Sequence, residues 1–257
     1  MDWPTPATLP ALDSGEVHVW RIDVALGEAE AQGLDTVLNR EERERAARFR
    51  REGDRLRWTA ARGAVRMLLG CYIGLPPDSL AFATGPHGKP RLAGPTMTHG
   101  GFRFNVSRSR DLALCAVARY REVGVDVEAI QPDFATDDIA RRFFAPAERV
   151  ALAALTAEAR VAAFFACWTR KEAVLKARGS GLALGLGHFE VSVALDGPAT
   201  VLAIHDDPAE AARWHLRGLD PGPGYAGALA VEGAAPVVSC WSWPGGLPLP
   251  PAAPADR

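Results

Sequence analysis

Cysteine is scarce and scattered: Cys71, Cys115, Cys167 and Cys240 lie far apart, and no C-x-x-C occurs. That spacing excludes a zinc ribbon and a disulfide framework, and the apolar context of each cysteine predicts a buried, reduced thiol. The histidines His18, His87, His99, His188, His205 and His215 show no ligand spacing, so no chemistry is assigned to them. No apolar run approaches the ~20 residues of a membrane-spanning helix. The opening MDWPTPATLPALDSG has neither a basic nor an apolar stretch, so no secretory leader is read there. A strong net charge is missing too: it is −2, which points to neither nucleic acid nor a membrane surface. A cytoplasmic protein is expected.

What is present describes an ordinary globular chain. Its 257 residues, 48% hydrophobic and 23% charged, suffice for one large domain or two small ones. The charge is unevenly spread. Arg40 to Arg66 holds ten arginines against five acids, so the remainder carries −7. A basic region facing an acidic remainder suits an anionic ligand, although i,i+4 pairs such as Glu41–Arg45 and Glu44–Arg48 account for many of these arginines as a solvated helix face.

Asn39 with Glu42 three residues on predicts a capping box and a helix to about Arg51, and Asp54 caps the next, which ends at Gly74. A strand near Leu80–Ala83, the turn GPHGKP, and the strands FRFNVS, LALCAVAR and VGVDVE follow. Helices are predicted near Asp137–Phe144 and Pro146–Leu155, then a long one capped by Thr156 and stopped by Gly179. Five strand-like runs come next, and the Pro/Ala-rich end, 246–257, is expected to be disordered. The halves echo each other: Trp58-Thr59 precedes Trp168-Thr169, Phe82 precedes Phe189, LALCAVA precedes YAGALAV and VGVDV precedes VVSCW, at offsets of 107 to 114 residues. A duplicated unit follows, one helix with several antiparallel strands in each half.

The segment VGVDVEA raises a specific question. Successive side chains of a strand point to opposite faces, so Asp126 and Glu128 share one face and Val123, Val125 and Val127 the other. Two like charges side by side repel. In WTRKEAVLKARGSGL, Trp168, Glu172 and Lys176 fall on one helix face, which by itself is a surface ion pair worth about 0.3–0.5 kcal/mol. Three carboxylates with no histidine or cysteine beside them suit Mg²⁺ rather than zinc, and a lysine one turn beyond Glu172 could reach the same phosphate.

Together these motifs resemble the 4′-phosphopantetheinyl transferases of the surfactin-synthetase type. The likeness spans most of the chain in order: the basic pair of helices in LNREERERAARFRREGDRLRWTAAR, GKPRL, FNVSRS, GVDVE, RRFFAPAE, then WTRKEAVLKARGSGL. It implies an α+β fold of two similar subdomains related by pseudo-twofold symmetry, each a helix on a small antiparallel sheet. Residues 1–121 and 122–245 would be the halves, meeting near Arg119–Glu122, with coenzyme A between them. The resemblance implies that Asp126, Glu128 and Glu172 hold Mg²⁺ on the pyrophosphate. Lys176 would stabilise the phosphates, and Glu172 would be the general base, directly or through water. Lys89 and Pro90 of the G-K-P turn, Ser107, Arg45 and Arg57 would lie along the nucleotide, the arginines near the 3′-phosphate. Arg108 stands where the family has histidine and Glu42 where relatives carry a basic residue. The implied partners are coenzyme A and an apo acyl or peptidyl carrier protein, the implied state a monomer that is a pseudo-dimer. A homologue that binds coenzyme A or carrier without turnover, and a Mg²⁺-dependent nucleotide hydrolase on another fold, are the alternatives.

Overall fold

Two helices of 22 residues organise the chain, and both end the same way. α3 (Glu52–Ile73) stops at Gly74 and α6 (Ala157–Arg178) at Gly179, each glycine in the left-handed conformation, φ 73° and 65°. The computed structural model describes residues 2–85, 87–94, 100–179, 185–205 and 207–245. The tail at 246–257, the Ser180–Leu182 end of the glycine motif and His99 lie outside them.

The first half runs β1 (Glu16–Asp23), α1 (Glu28–Asp35), α2 (Arg40–Ala47), α3, the hairpin β2 (Phe82–Thr84) and β3 (Pro90–Leu92), β4 (Phe102–Ser109) and β5 (Leu112–Arg119). The second runs β6 (Val123–Ala129), α4 (Asp137–Phe143), α5 (Pro146–Ala153), α6, the hairpin β7 (Phe189–Val191) and β8 (Val201–Ile204), α7 (Pro208–Ala211), β9 (Trp214–Leu219), β10 (Tyr225–Glu232) and β11 (Val237–Ser242). The fold is α+β. One sheet has the order β11-β1-β5-β4, parallel only between β1 and β11, and the other is an antiparallel β6-β10-β9.

Burial divides each strand by face. Ala113, Cys115 and Val117 of β5 join the core under α3, while Leu112, Leu114, Ala116 and Ala118 join a second core with Val123, Val125 and Val127 of β6. The layers are therefore α3, sheet, sheet, α6. The valines of VGVDVEA fill the space between the sheets, and its carboxylates face α6.

Each half holds its short helix to its long one through a buried ion pair. Glu42 caps Asn39 in α2 as the capping box requires and bonds Arg66 Nε at 2.6 Å and Arg62. Glu148 of α5 bonds the Ala145 amide at 2.8 Å and Lys171 Nζ at 2.6 Å. Both cations lie over a phenylalanine ring, Arg66 over Phe82 and Lys171 over Phe189. Glu42 is thus held as the buried anion of the first half.

Several local expectations are corrected. α2 ends at Ala47, beyond which Phe49 packs on Trp58 (6.1 Å between rings), and Arg51, not Asp54, occupies the N-cap position of α3, with no side-chain capping bond. Asp54 lies in the first turn, where a carboxylate favours the helix dipole. β1 and α1 had no predicted counterpart; β1 is buried on both faces, and the alternation of EVHVWRID changes phase between Val19 and Trp20. The pairing of Trp58-Thr59 with Trp168-Thr169 is out of register: counted from the starts of α3 and α6, Trp58 corresponds to Ala163. The last strand is not the counterpart of VGVDV in its sheet, since β11 leaves the second half and pairs with β1. A division at residue 121 therefore cuts through the first sheet.

Candidate functional site

Gly124 sets the distance between β6 and α6. A Cβ there would lie 2.2 Å from the Ala173 carbonyl oxygen and 2.3 Å from the Ala177 nitrogen, both backbone atoms that cannot swing aside. With glycine, the helix rests directly on the strand, and Asp126 meets the lysine of α6. Lys176 Nζ donates to Asp126 Oδ1 at 2.5 Å and to Ser107 Oγ at 2.8 Å; Ser107 Oγ donates to the same Oδ1 at 2.7 Å.

The strand β4 completes this arrangement with side chains alone. Asn105 Oδ1 accepts from the Val125 amide at 2.9 Å. Ser109 donates to Glu128 Oε2 at 2.7 Å and accepts from the Ala129 amide at 3.0 Å. Asn105, Ser107 and Ser109 alternate along FNVSRS, so they share a face, and that face joins the halves. Asn105 and Ser109 were not singled out from the sequence, although their spacing of two was the available signal.

The electrostatics are unfavourable for three free carboxylates. Burial, with the charges of Asp126 and Glu128, pushes the Glu172 carboxyl up to about 7 against a pull downward from Lys176. Burial and Asp126 raise Glu128 as well, opposed by the Ser109 hydrogen bond and by Lys176. Asp126 is buried, and its Oδ2 has no hydrogen-bond partner. Among the described residues no three His, Cys, Asp or Glu side chains converge into a ready metal cage. Asp126 Oδ1 and Glu128 Oε2 are turned instead to Lys176 and the serines. An oxygen donor set with one orphaned buried oxygen still fits Mg²⁺, which takes one or two carboxylates and completes its shell with phosphate and water.

A cleft leads away from this cluster. Glu172, Lys176, Asn105, Val106, Lys89 and Pro90 line a cavity of about 430 Å³. Through Gly88, Pro90 and Val106 it adjoins one of about 560 Å³ lined by Arg45, Trp58, Arg62, Phe82, Ser107 and Arg108. Burial pulls the Arg108 guanidinium down from its usual range, Asp54 supports it and Arg57 opposes it. Arg45 lies over the Trp58 ring at 5.7 Å. Arg57 is not on these walls: its Nε donates to Asp111 at 2.7 Å, with Asp54 at 3.9 Å. Asp126, Glu128, Glu172, Lys176 and Ser107 are thus brought together, Arg45, Arg108, Lys89 and Pro90 line the approach, and Arg57, within electrostatic reach of Arg108, is paired with Asp111.

Residues 122–230 match the family described as the 4′-phosphopantetheinyl transferase superfamily, and 28–119 match the 4′-phosphopantetheinyl transferase N-terminal family. The 4′-phosphopantetheinyl transferase HetI of Nostoc sp. is 39% identical over 230 residues, 90% of this chain and 93% of that protein. A 4′-phosphopantetheinyl transferase of Bacillus subtilis is 31% identical over 70% of this chain and 77% of its own length. The transferase Sfp of Bacillus subtilis strain 168 is 27% identical, with coverages of 82% and 89%. No helix among the described residues is long and apolar enough to cross a membrane. With a relative this similar over nine-tenths of both chains, and a cleft whose polar residues fall on the motifs of that family, the chain belongs to the 4′-phosphopantetheinyl transferases.

Proposed function

We propose that this chain transfers the 4′-phosphopantetheine group of coenzyme A to a serine hydroxyl of an apo acyl or peptidyl carrier protein. The observation that carries this reading is the junction of Asp126, Lys176 and Ser107, with Glu172 beside it, at the end of an arginine-lined cleft. One chain supplies both walls, so a monomer suffices.

Asp126, Glu128 and Glu172 would hold Mg²⁺, which when bound supplies positive charge against the phosphate oxygens as the reaction proceeds. Arg45 and Arg108 face the 3′-phosphate end of the nucleotide, with Pro90 and Ser107 along its wall. A guanidinium fork matches phosphate geometry, so Arg108 keeps that contact while giving up the titration a histidine would have. Lys176 donates to the pyrophosphate oxygens in place of its present bonds. Glu172 takes the serine proton, directly or through a water. The serine oxygen bonds to the phosphorus that bears pantetheine, the anhydride P–O bond breaks, and 3′,5′-ADP leaves.

The test is intact-mass measurement of apo carriers of fatty acid, polyketide and peptide synthesis incubated with the chain, coenzyme A and Mg²⁺. The expected result is one added phosphopantetheine per carrier and an equal amount of 3′,5′-ADP, with no addition to a carrier whose serine is replaced by alanine. Binding of coenzyme A with no carrier modified would mark a non-catalytic homologue. Nucleotide release without any carrier would mark a hydrolase.

A further inference from the structure

Lys89 stands in the turn of the β2–β3 hairpin, beside the nucleotide cleft, yet its ammonium is already engaged on two sides. Nζ donates to Glu122 Oε2 at 2.6 Å and to the Ala177 carbonyl at 2.9 Å. The side chain is only 17% exposed. Its Cδ passes Gly179, where even a Cβ would come to 3.5 Å. The other oxygen of Glu122 accepts from Arg103 Nε at 3.2 Å.

These partners are not incidental. Glu122 is the residue before β6, the strand of Asp126 and Glu128, and Ala177 follows Lys176 in the last turn of α6. The Ala177 carbonyl belongs to the negative end of that helix, where a cation is favoured. One ammonium therefore ties the hairpin that walls the cleft to both elements that carry the reacting groups.

We propose that Lys89 is a positioning residue: bonded to Glu122 and the Ala177 carbonyl, it sets α6 and β6 against the nucleotide cleft and makes no contact with the nucleotide. This rests on the transferase reading and changes the role that the resemblance implies for the G-K-P lysine. A displacement of about 1 Å between reacting groups can cost on the order of 100-fold in rate, so a tie at this corner bears on turnover.

The experiment compares Lys89→Met, Glu122→Gln, the double variant and Lys89→Arg in the full chain. It reads kcat and KM for coenzyme A, calorimetric affinity for 3′,5′-ADP, and melting temperature. The expected result is a fall in kcat of about tenfold or more in both single variants, with 3′,5′-ADP affinity within about twofold of the parent. The double variant is then no worse than the worse single one, since contacting residues do not add, and Lys89→Arg recovers part of kcat. If Lys89→Met weakens 3′,5′-ADP about tenfold while Glu122→Gln does not, Lys89 is a nucleotide contact and the proposal is overturned. Unchanged kcat in both single variants overturns it equally. Should the parent chain modify no carrier, the failure belongs to the transferase reading. The tie is then judged by melting temperatures, where additive effects of the two substitutions count against it.

Discussion

The two halves solve the same packing problem in opposite ways. Val117 of β5 faces His18 of β1, and Ala230, at the same place in β10, faces Gly124 of β6. Counted from their first residues, Tyr72 of α3 corresponds to Ala177 of α6. In the first half an aromatic layer fills the gap: the Tyr72 hydroxyl accepts from Trp20 Nε1 at 2.8 Å and is hydrogen-bonded to His18 Nδ1 at 2.6 Å. In the second half glycine meets alanine and the gap closes. Trp20 and Ile22 then correspond to Asp126 and Glu128, and Met67 and Cys71 to Glu172 and Lys176. The apolar interface of one half is the polar site of the other, and short side chains reach each other there because no bulky group holds the helix away.

The clefts differ in the same manner. A cavity of about 960 Å³ in the second half is lined by Ala166, Arg170, Gly218 and Asp220, at the places of Ala61, Val65, Val106 and Arg108 in the first. Asp220 stands at the place of Arg108 and Arg170 at the place of Val65, so the two clefts carry their charges at different positions.

Gly124→Val restores bulk at the decisive contact and should have the largest effect. Overpacking costs about 1–3 kcal/mol of stability, and the displaced helix carries both Glu172 and Lys176 away from Asp126. Carrier modification should fall to background while the circular dichroism spectrum stays folded; near-parental turnover would show that the close approach is not needed.

Glu172→Gln removes the charge and keeps the shape. Carrier modification should fall about 10²–10⁴-fold, the usual weight of general-base catalysis. Its stability effect follows from the raised pKa. The folded carboxyl holds its proton up to about 7 against an ordinary value of 4.5, so the folded state binds more protons between those limits and stability drops as pH rises through them. Without divalent cation, the parental melting temperature should therefore drop relative to that of Glu172→Gln as pH rises from 4.5 to 7, whatever trend the two share from His18 and His215, whose lowered values act in the opposite sense. A melting temperature of the variant that tracks the parent at every pH would place Glu172 on a solvated helix face.

The buried ion pairs lie away from the reacting groups, so their effect on turnover is the smallest and the comparison is read in stability. Glu148→Gln leaves Lys171, fully buried, without its anion, and breaking such a pair costs about 3–5 kcal/mol. Glu42→Gln should cost less, about 1.5–3 kcal/mol, because Arg66 keeps the Pro77 and Leu80 carbonyls and Arg62 is 19% exposed. Urea unfolding of both variants checks the order, and equal losses would show that the two pairs are interchangeable.

The long helices, their glycine stops and the capping box at Asn39 were legible because each depends on a few adjacent residues. VGVDVEA was legible in full: a strand with two faces must send valines one way and carboxylates the other, whatever surrounds it. β1 was not, since the alternation of EVHVWRID changes phase between Val19 and Trp20, and both faces are buried. The repeat was legible in kind but not in register, because Trp58 and Trp168 look alike in the sequence while the helix ends and buried ion pairs align different residues.

The sequence by itself determined which faces the candidate groups share: the carboxylates of β6 on one side of the strand, and Glu172 and Lys176 on one side of the helix. Local periodicity settles such matters, because a side chain's direction follows from its own backbone. Tertiary structure alone decided which of them meet and which are already spent. It closed α6 onto β6 at Gly124, set Ser107 and Lys176 on one oxygen of Asp126, paired Arg57 with Asp111 and Lys89 with Glu122, and sent the last strand back to β1. Contacts between residues distant in sequence depend on packing and on competition among many charged partners, and neither is written in any one stretch of the chain.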